Sequence, residues 1–218
     1  WTPMDLGSYA SGIHKIVING NNHTISDLNN PLIGYCYFGD VEIEINDLTI
    51  SNANMSQETT NGLGYGAFVL SADNVASLIL NNCHLKDSTI NAIEDVGGLV
   101  GFSSTSIFTL NNCSVEKCTI TGPESVGGLV GTCGYGTVTI KNCSINHTNL
   151  TSNKNGTYRI GYAIGTVPNA GTVSLTNISF ADGTVTQLGS TGFSDATCTQ
   201  LVGRSWGNVT GDGSTNIN

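Results

Sequence analysis

A parallel β-helix is the fold this sequence predicts: a right-handed, single-stranded, all-β coil of about six rungs of 30 to 36 residues, with residues 1–218 as one domain. Three observations predict it. First, Leu80-Asn81-Asn82-Cys83, Leu110-Asn111-Asn112-Cys113 and Ile140-Lys141-Asn142-Cys143 repeat at a shift of 30, with Ile45-Asn46-Asp47-Leu48 before them and Leu175-Thr176-Asn177-Ile178 after. Second, a glycine signature recurs between these copies, as Val96-Gly97-Gly98-Leu99-Val100-Gly101 and Val126-Gly127-Gly128-Leu129-Val130-Gly131. Third, apolar and polar residues alternate within each unit, a strand period and not a helical one. Short strands separated by turns and repeated at such a period are the mark of a solenoid. The hand follows from the rule for parallel crossovers.

The composition narrows the alternatives. Only 11% of the residues are charged while 28 are glycine, so a long helical or coiled-coil protein is excluded. With 39% hydrophobic residues in regular clusters, the chain can bury a core and is not generally disordered. Four prolines and no Gly-X-Y period exclude collagen. The formal charge is −9 and the seven basic residues are scattered, which argues against nucleic acid and anionic membrane surfaces as partners. No apolar run approaches the roughly 20 residues of a membrane span. The chain begins at Trp1 and reads as a processed or trimmed segment of a longer protein.

Along each unit, inward and outward positions can be assigned. Val138, Ile140, Cys143, Ile145 and Leu150 correspond to Phe108, Leu110, Cys113, Val115 and Ile120 one unit earlier, and these fill the core. Thr139, Ser144, Asn149 and Thr151 point outward. Asn82, Asn112, Asn142 and Asn177, with Asp47 continuing the series, occupy one corner. There a stacked amide donates to one neighbour and accepts from the next, and Asn tolerates the backbone angle a corner needs. Cys83, Cys113 and Cys143 form a column of small apolar side chains, a spacing that matches neither zinc ligation nor a compact disulfide scaffold. Cys36, Cys118, Cys133 and Cys198 fall outside it, as buried thiols or with one bridge among them. The double glycines are tight corners and not a phosphate cradle, because no helix follows to supply a dipole. Degenerate glycine copies occur at Leu63-Gly64-Tyr65-Gly66-Ala67-Phe68, Ile160-Gly161-Tyr162-Ala163-Ile164-Gly165 and Gln200-Leu201-Val202-Gly203.

The glycine copies, with the intervening segments of the Leu110-Asn111-Asn112-Cys113-Ser114 type, resemble the GLUG-repeat proteins, secreted or surface-attached bacterial β-helix proteins. Trp1-Thr2-Pro3-Met4 and Ile18-Asn19-Gly20-Asn21-Asn22-His23-Thr24-Ile25-Ser26-Asp27-Leu28 resemble the opening of such domains, and the resemblance covers nearly the whole chain. Two departures stand out: Asn19 where that opening carries Asp, and Thr199-Gln200 in place of the last double glycine. The resemblance implies an extracellular, secreted or cell-surface location, a further rung or cap before Trp1, and adhesion to glycans or host surface proteins.

Parallel β-helices also carry polysaccharide lyases and hydrolases, and glycoside hydrolysis needs two carboxylates about 5 to 9.5 Å apart. Glu94, Asp95 and Glu124 lie in the stretch before the double glycines, Asp87 and Glu116 near one turn but at different offsets, and Asp182 alone. Glu42 and Glu44 share one outward strand face, about 7 Å apart. Neither Arg159 nor Arg204 has an acidic cluster in sequence to make a lyase site. His14, His23, His84 and His147 fall at different offsets, so no metal site is expected, and His84 takes the outward place of Ser114 and Ser144. Asp212-Gly213-Ser214-Thr215-Asn216 has calcium-loop composition without the spaced acids. No cofactor is expected.

A binding surface has its own candidates. Aligned on the glycine signature, Tyr35, Tyr65 and Tyr162 share one outward offset, where stacked rings would form a sugar platform, extended by Tyr37, Tyr135 and Trp206. Alternatively those rings cover corners that glycine leaves open. Asn54-Met55-Ser56, Thr89-Ile90-Asn91, Thr119-Ile120-Thr121, Asn149-Leu150-Thr151 and Thr184-Val185-Thr186 stack as a flat face with two ranks of Thr, Asn and Ser. Such ranks can order water, as in ice binding, but Thr also simply suits an exposed strand. The functional expectation is therefore non-enzymatic adhesion, with a carbohydrate-active enzyme and a structural stalk as alternatives.

Overall fold

The computed structural model describes residues 2–4, 12–37, 39–60, 63–153, 159–169, 171–187, 201–205 and 209–211, and among them there is no helix. Every strand pair is parallel, as a coil of successive turns requires. The chain is a β-solenoid, a parallel β-helix. Its faces are a 12-stranded sheet, a 5-stranded sheet and a 4-stranded sheet. The five-stranded sheet marks about five turns, and the sixth unit read from the sequence is described only from Leu201, where Val202–Ser205 pairs with Ile164–Val167. Trp1, Arg159 and Arg204 side chains, Cys198, Trp206 and residues 212–216 lie outside what is described.

One turn shows how sequence becomes coil. Val100–Asn111 runs along the broad sheet, a corner at Asn112 leads to Ser114–Glu116, and a second corner at Lys117 leads to Thr119–Gly122 in the five-stranded sheet. Ser125–Gly127 belongs to the four-stranded sheet, and the chain then re-enters the broad sheet at Val130. The alternation decides which side faces in. Phe108, Leu110, Cys113, Val115 and Ile120, and in the next turn Val138, Ile140, Cys143, Ile145 and Leu150, are all buried at 2% exposure or less.

Both corners use a left-handed backbone. In the first, Asp47, Asn82, Asn112, Asn142 and Asn177 have φ of 52 to 54°. Asn82 Nδ2 donates to Asp47 Oδ1 at 2.8 Å, Asn112 Nδ2 to Asn82 Oδ1 at 3.0 Å, and Asn177 Nδ2 to Asn142 Oδ1 at 2.9 Å. A parallel ladder runs one residue earlier, from Asn81 to Asn46 to Asn19. The second corner is Asn52, Asp87, Lys117, His147 and Asp182, with φ of 48 to 54°. Here Lys and His accept a conformation that Asn and Asp adopt more readily.

At the corners of the central turns the next residue is a small side chain whose proton returns to the chain two residues back. Cys113 Sγ donates to the Asn111 carbonyl and Cys143 Sγ to Lys141. At the second corner Ser88 Oγ donates to Lys86, Cys118 Sγ to Glu116 and Thr148 Oγ1 to Asn146. The cysteines thus act as weak hydroxyl equivalents as well as apolar filling. Cys118 and Cys133 are buried free thiols, so no bridge joins them to each other or to Cys36.

The glycine signature has a different cause from the corners. Gly97, Gly127 and Gly161 lack positive φ; they are required by close approach. The four-stranded sheet lies backbone to backbone on the broad sheet of the next turn. A Cβ on Gly97 would overlap the Val100 carbonyl and the Gly131 amide, and one on Gly161 the Ile164 carbonyl and the Gly203 amide. Only hydrogen fits there.

Candidate functional site

Register fixes which side chains share a column. Ile33, Val69, Val100, Val130, Ile164 and Val202 are level. Tyr35 therefore stands with Ser71, Phe102, Thr132 and Thr166, whereas Tyr65 pairs with Val96, in line with Val126 and Ile160. Tyr162 follows Gly161 and so occupies the column of Gly128, whose amide it binds through its carbonyl.

The expected common offset of Tyr35, Tyr65 and Tyr162 is thus corrected: they lie in three columns. The slip came from matching glycines. Gly66, not Gly64, is the counterpart of Gly97, and Gly34 is the counterpart of Gly101. Tyr65 is 3% exposed, its hydroxyl has no hydrogen-bond partner, and burial pushes its pKa up. Tyr162 is half-buried and stacks on Phe180, with ring centroids 3.9 Å apart. Both rings serve the core.

Tyr35 belongs instead to an outer row of rings. It is half-buried and stacks on Tyr37, with centroids 6.2 Å apart and planes within 7°. Tyr37 is 49% exposed and level with Asp73, Ser104 and Tyr135, the last 61% exposed. Phe102 is half-buried in Tyr35's column, its ring beside Gly134, where a Cβ would stand 3.2 Å from it. Burial first and then the charge of Asp73 push the pKa of Tyr35 up, Asp73 being level with Tyr37. Ser71, between Tyr35 and Phe102 in register, is fully buried with an unpartnered Oγ. Tyr37 and Tyr135 carried no glycine-aligned signal of their own, and Phe102 only an aromatic in a strand.

The second arrangement is acidic. Glu94, Asp95 and Glu124, with Leu63, Ile93 and Pro123, line a groove of about 370 Å³ between the five-stranded and four-stranded sheets. Because Val96 pairs with Val126, Glu94 and Glu124 are level on consecutive turns, about 4.8 Å apart at the backbone. Gln57 Nε2 donates to Glu94 Oε2 at 2.6 Å, and its Oε1 accepts the Ile93 amide. Thr132 Oγ1 donates to Asp95 Oδ2 at 2.6 Å. Leu63 and Ile93 are 50% and 48% exposed, an apolar rim above the carboxylates. Asp182 is elsewhere, paired with His147 at 3.6 Å, and Glu42 and Glu44 face outward beside Lys15.

The remaining candidates are dispersed. His14 pairs with Asp40 and His23 binds the Gly20 carbonyl. His84 is level with Ser114 and Ser144 and bridges Asn82 Oδ1 and Ser114 Oγ. Among the described residues no three His, Cys, Asp or Glu side chains are arranged to hold a metal ion. The Thr and Asn ranks stack as read, with Thr184 Oγ1 donating to Asn149 Oδ1. No helix among the described residues is long and apolar enough to cross a membrane. No family model, curated protein or solved structure matches the chain.

Proposed function

We propose that this chain is a secreted or cell-surface segment that adheres to glycans through the outer row of Tyr35, Tyr37, Phe102 and Tyr135. The observation that carries the reading is the exposure of Tyr37 and Tyr135 at one register position, 49% and 61%, with Asp73 and Ser104 between them. An aromatic face packs against the apolar face of a pyranose while neighbouring hydroxyls and carboxylates bind its hydroxyls. Tyr35 and Tyr37 are held by stacking on each other and all four rings sit on strands in fixed register, so little order is lost on binding. The resemblance of the repeats to GLUG-repeat proteins supports the extracellular location and the adhesive role.

The test is incubation of the protein with immobilised mucin, plant and bacterial glycans, read for retained protein and for released oligosaccharide. Retention that falls in the Tyr37→Ala, Tyr135→Ala double variant at unchanged melting temperature supports the reading. Retention that ignores both tyrosines sinks it. Tyr65 is unsuitable for this purpose, because its replacement acts on the core.

A second reading, a carbohydrate-active hydrolase, is favoured by one observation: Glu94 and Glu124 level on consecutive turns in a groove with an apolar rim. Side chains borne on level positions one turn apart can bring two carboxyl groups to the separation that retaining glycosidases use. Released oligosaccharide that vanishes in Glu124→Gln with retention intact would establish it.

A further inference from the structure

We infer that the ligand of the aromatic row is an extended, uncharged glycan chain lying along the solenoid axis, and that acidic glycans are turned away from it. The inference rests on the glycan-binding reading and specifies its ligand. Direction comes from register. Tyr35 and Phe102 are two turns apart in one column, and Tyr37 and Tyr135 three turns apart in the level row beside it. At about 4.8 Å per turn these separations are about 10 and 14 Å along the axis. A ligand that touches more than one ring station must therefore run along the coil. A compact sugar reaches one station only.

Charge sets the class. The charged group between the stations is Asp73, close enough to Tyr35 to raise its pKa. Its carboxylate accepts hydrogen bonds from sugar hydroxyls and repels a uronate, sialate or sulfate. The described lysines lie outside the two ring columns, Lys15 being level with Glu42, Ser77, Ile107 and Thr137. Lys15 is on Lys15–Ser26 beside Glu42 and Glu44, Lys86 ends Ser77–Lys86, Lys117 is at a corner beside Glu116, and Lys141 is level with Asn111. Arg204 enters Tyr35's column only two turns beyond Thr132. The stretch from Tyr35 to Tyr135 thus offers an anion no counter-charge among its described side chains, in a chain of net charge −9.

Titration calorimetry with a length series of neutral β-linked oligosaccharides, and with carboxylated and sulfated chains of the same backbone, tests this. Affinity should climb about tenfold with length and then level off. Tyr135→Ala should abolish that gain, and Asp73→Asn should admit the carboxylated chain. Equal or tighter binding of acidic chains, or affinity independent of length, overturns the inference while the glycan reading stands. Failure of every glycan to bind overturns both.

Discussion

Thr132 donates a hydrogen bond of 2.6 Å to Asp95, 37 positions earlier, and so joins the two candidate surfaces. Asp95 lines the acidic groove, whereas Thr132 is level with Phe102 in the aromatic row. One turn on, the same contact is made by Ser125 and Thr166 at 2.8 Å, both buried. These polar pairs sit where the four-stranded sheet lies on the next turn of the broad sheet. A carboxylate facing the groove is thereby fixed in orientation by the layer that carries the rings, since bonds to charged acceptors are the stronger ones.

Gly97→Ala and Gly127→Ala should each destabilise the fold by about 3 kcal/mol or more, because the new Cβ meets backbone that cannot rotate away. Gly39→Ala, where the nearest atom would be Asn74 Nδ2 at 3.8 Å, should be near neutral. Urea denaturation of the three variants checks the contrast. Equal stability would mean that the two sheets can separate locally.

Asn112 combines two roles that a pair of substitutions separates. Asn112→Gly keeps the left-handed corner but loses the bond to Asn82, at about 1 kcal/mol. Asn112→Ala loses the bond and also strains the backbone, at about 2 kcal/mol in total. If both cost the same, conformation contributes nothing at this corner.

Cys118 should be replaceable by Ser within about 1 kcal/mol, since Ser88 and Thr148 make the same carbonyl contact in the turns on either side. Burial pushes its thiol up to about 12, and Cys133 is raised as well. An aromatic disulfide reagent at mildly alkaline pH should therefore leave both unmodified until the protein unfolds. Rapid labelling of the native protein would contradict the packing.

His84 gives a pH dependence of known sign. Burial holds its folded-state pKa below the usual value near 6.5. Its contribution to stability is complete above that value and declines as pH falls through the folded-state pKa, because the unfolded chain binds the proton more readily. Thermal melts of the protein and of His84→Ser, which installs the side chain of the next turn, should diverge on acidification. Parallel curves would remove His84 from the account.

Much of the coil was legible because its requirements are local and repeat. The first corner combines an αL backbone with a ladder of side-chain amides, which favours Asn at every turn, so Asn82, Asn112 and Asn142 announce themselves. The second corner was silent, since Asp87, Lys117, His147 and Asp182 share a backbone angle but no chemistry. The glycines misled in a specific way. They mark close contact between sheets, not fixed steps along the chain, so a motif with glycines at alternate positions aligns equally well two residues out of step. That slip placed Tyr65 outside.

The sequence by itself determined the repeat, the inward and outward faces and the first corner, because alternation and backbone conformation act over a few residues. Tertiary structure alone decided which rings face solvent together and which carboxylates share a groove. Tyr37 and Tyr135 come into one row only through turns of unequal length, and Glu94 and Glu124 share a groove because Val96 pairs with Val126; both registers are set by hydrogen bonds between strands 30 or more residues apart.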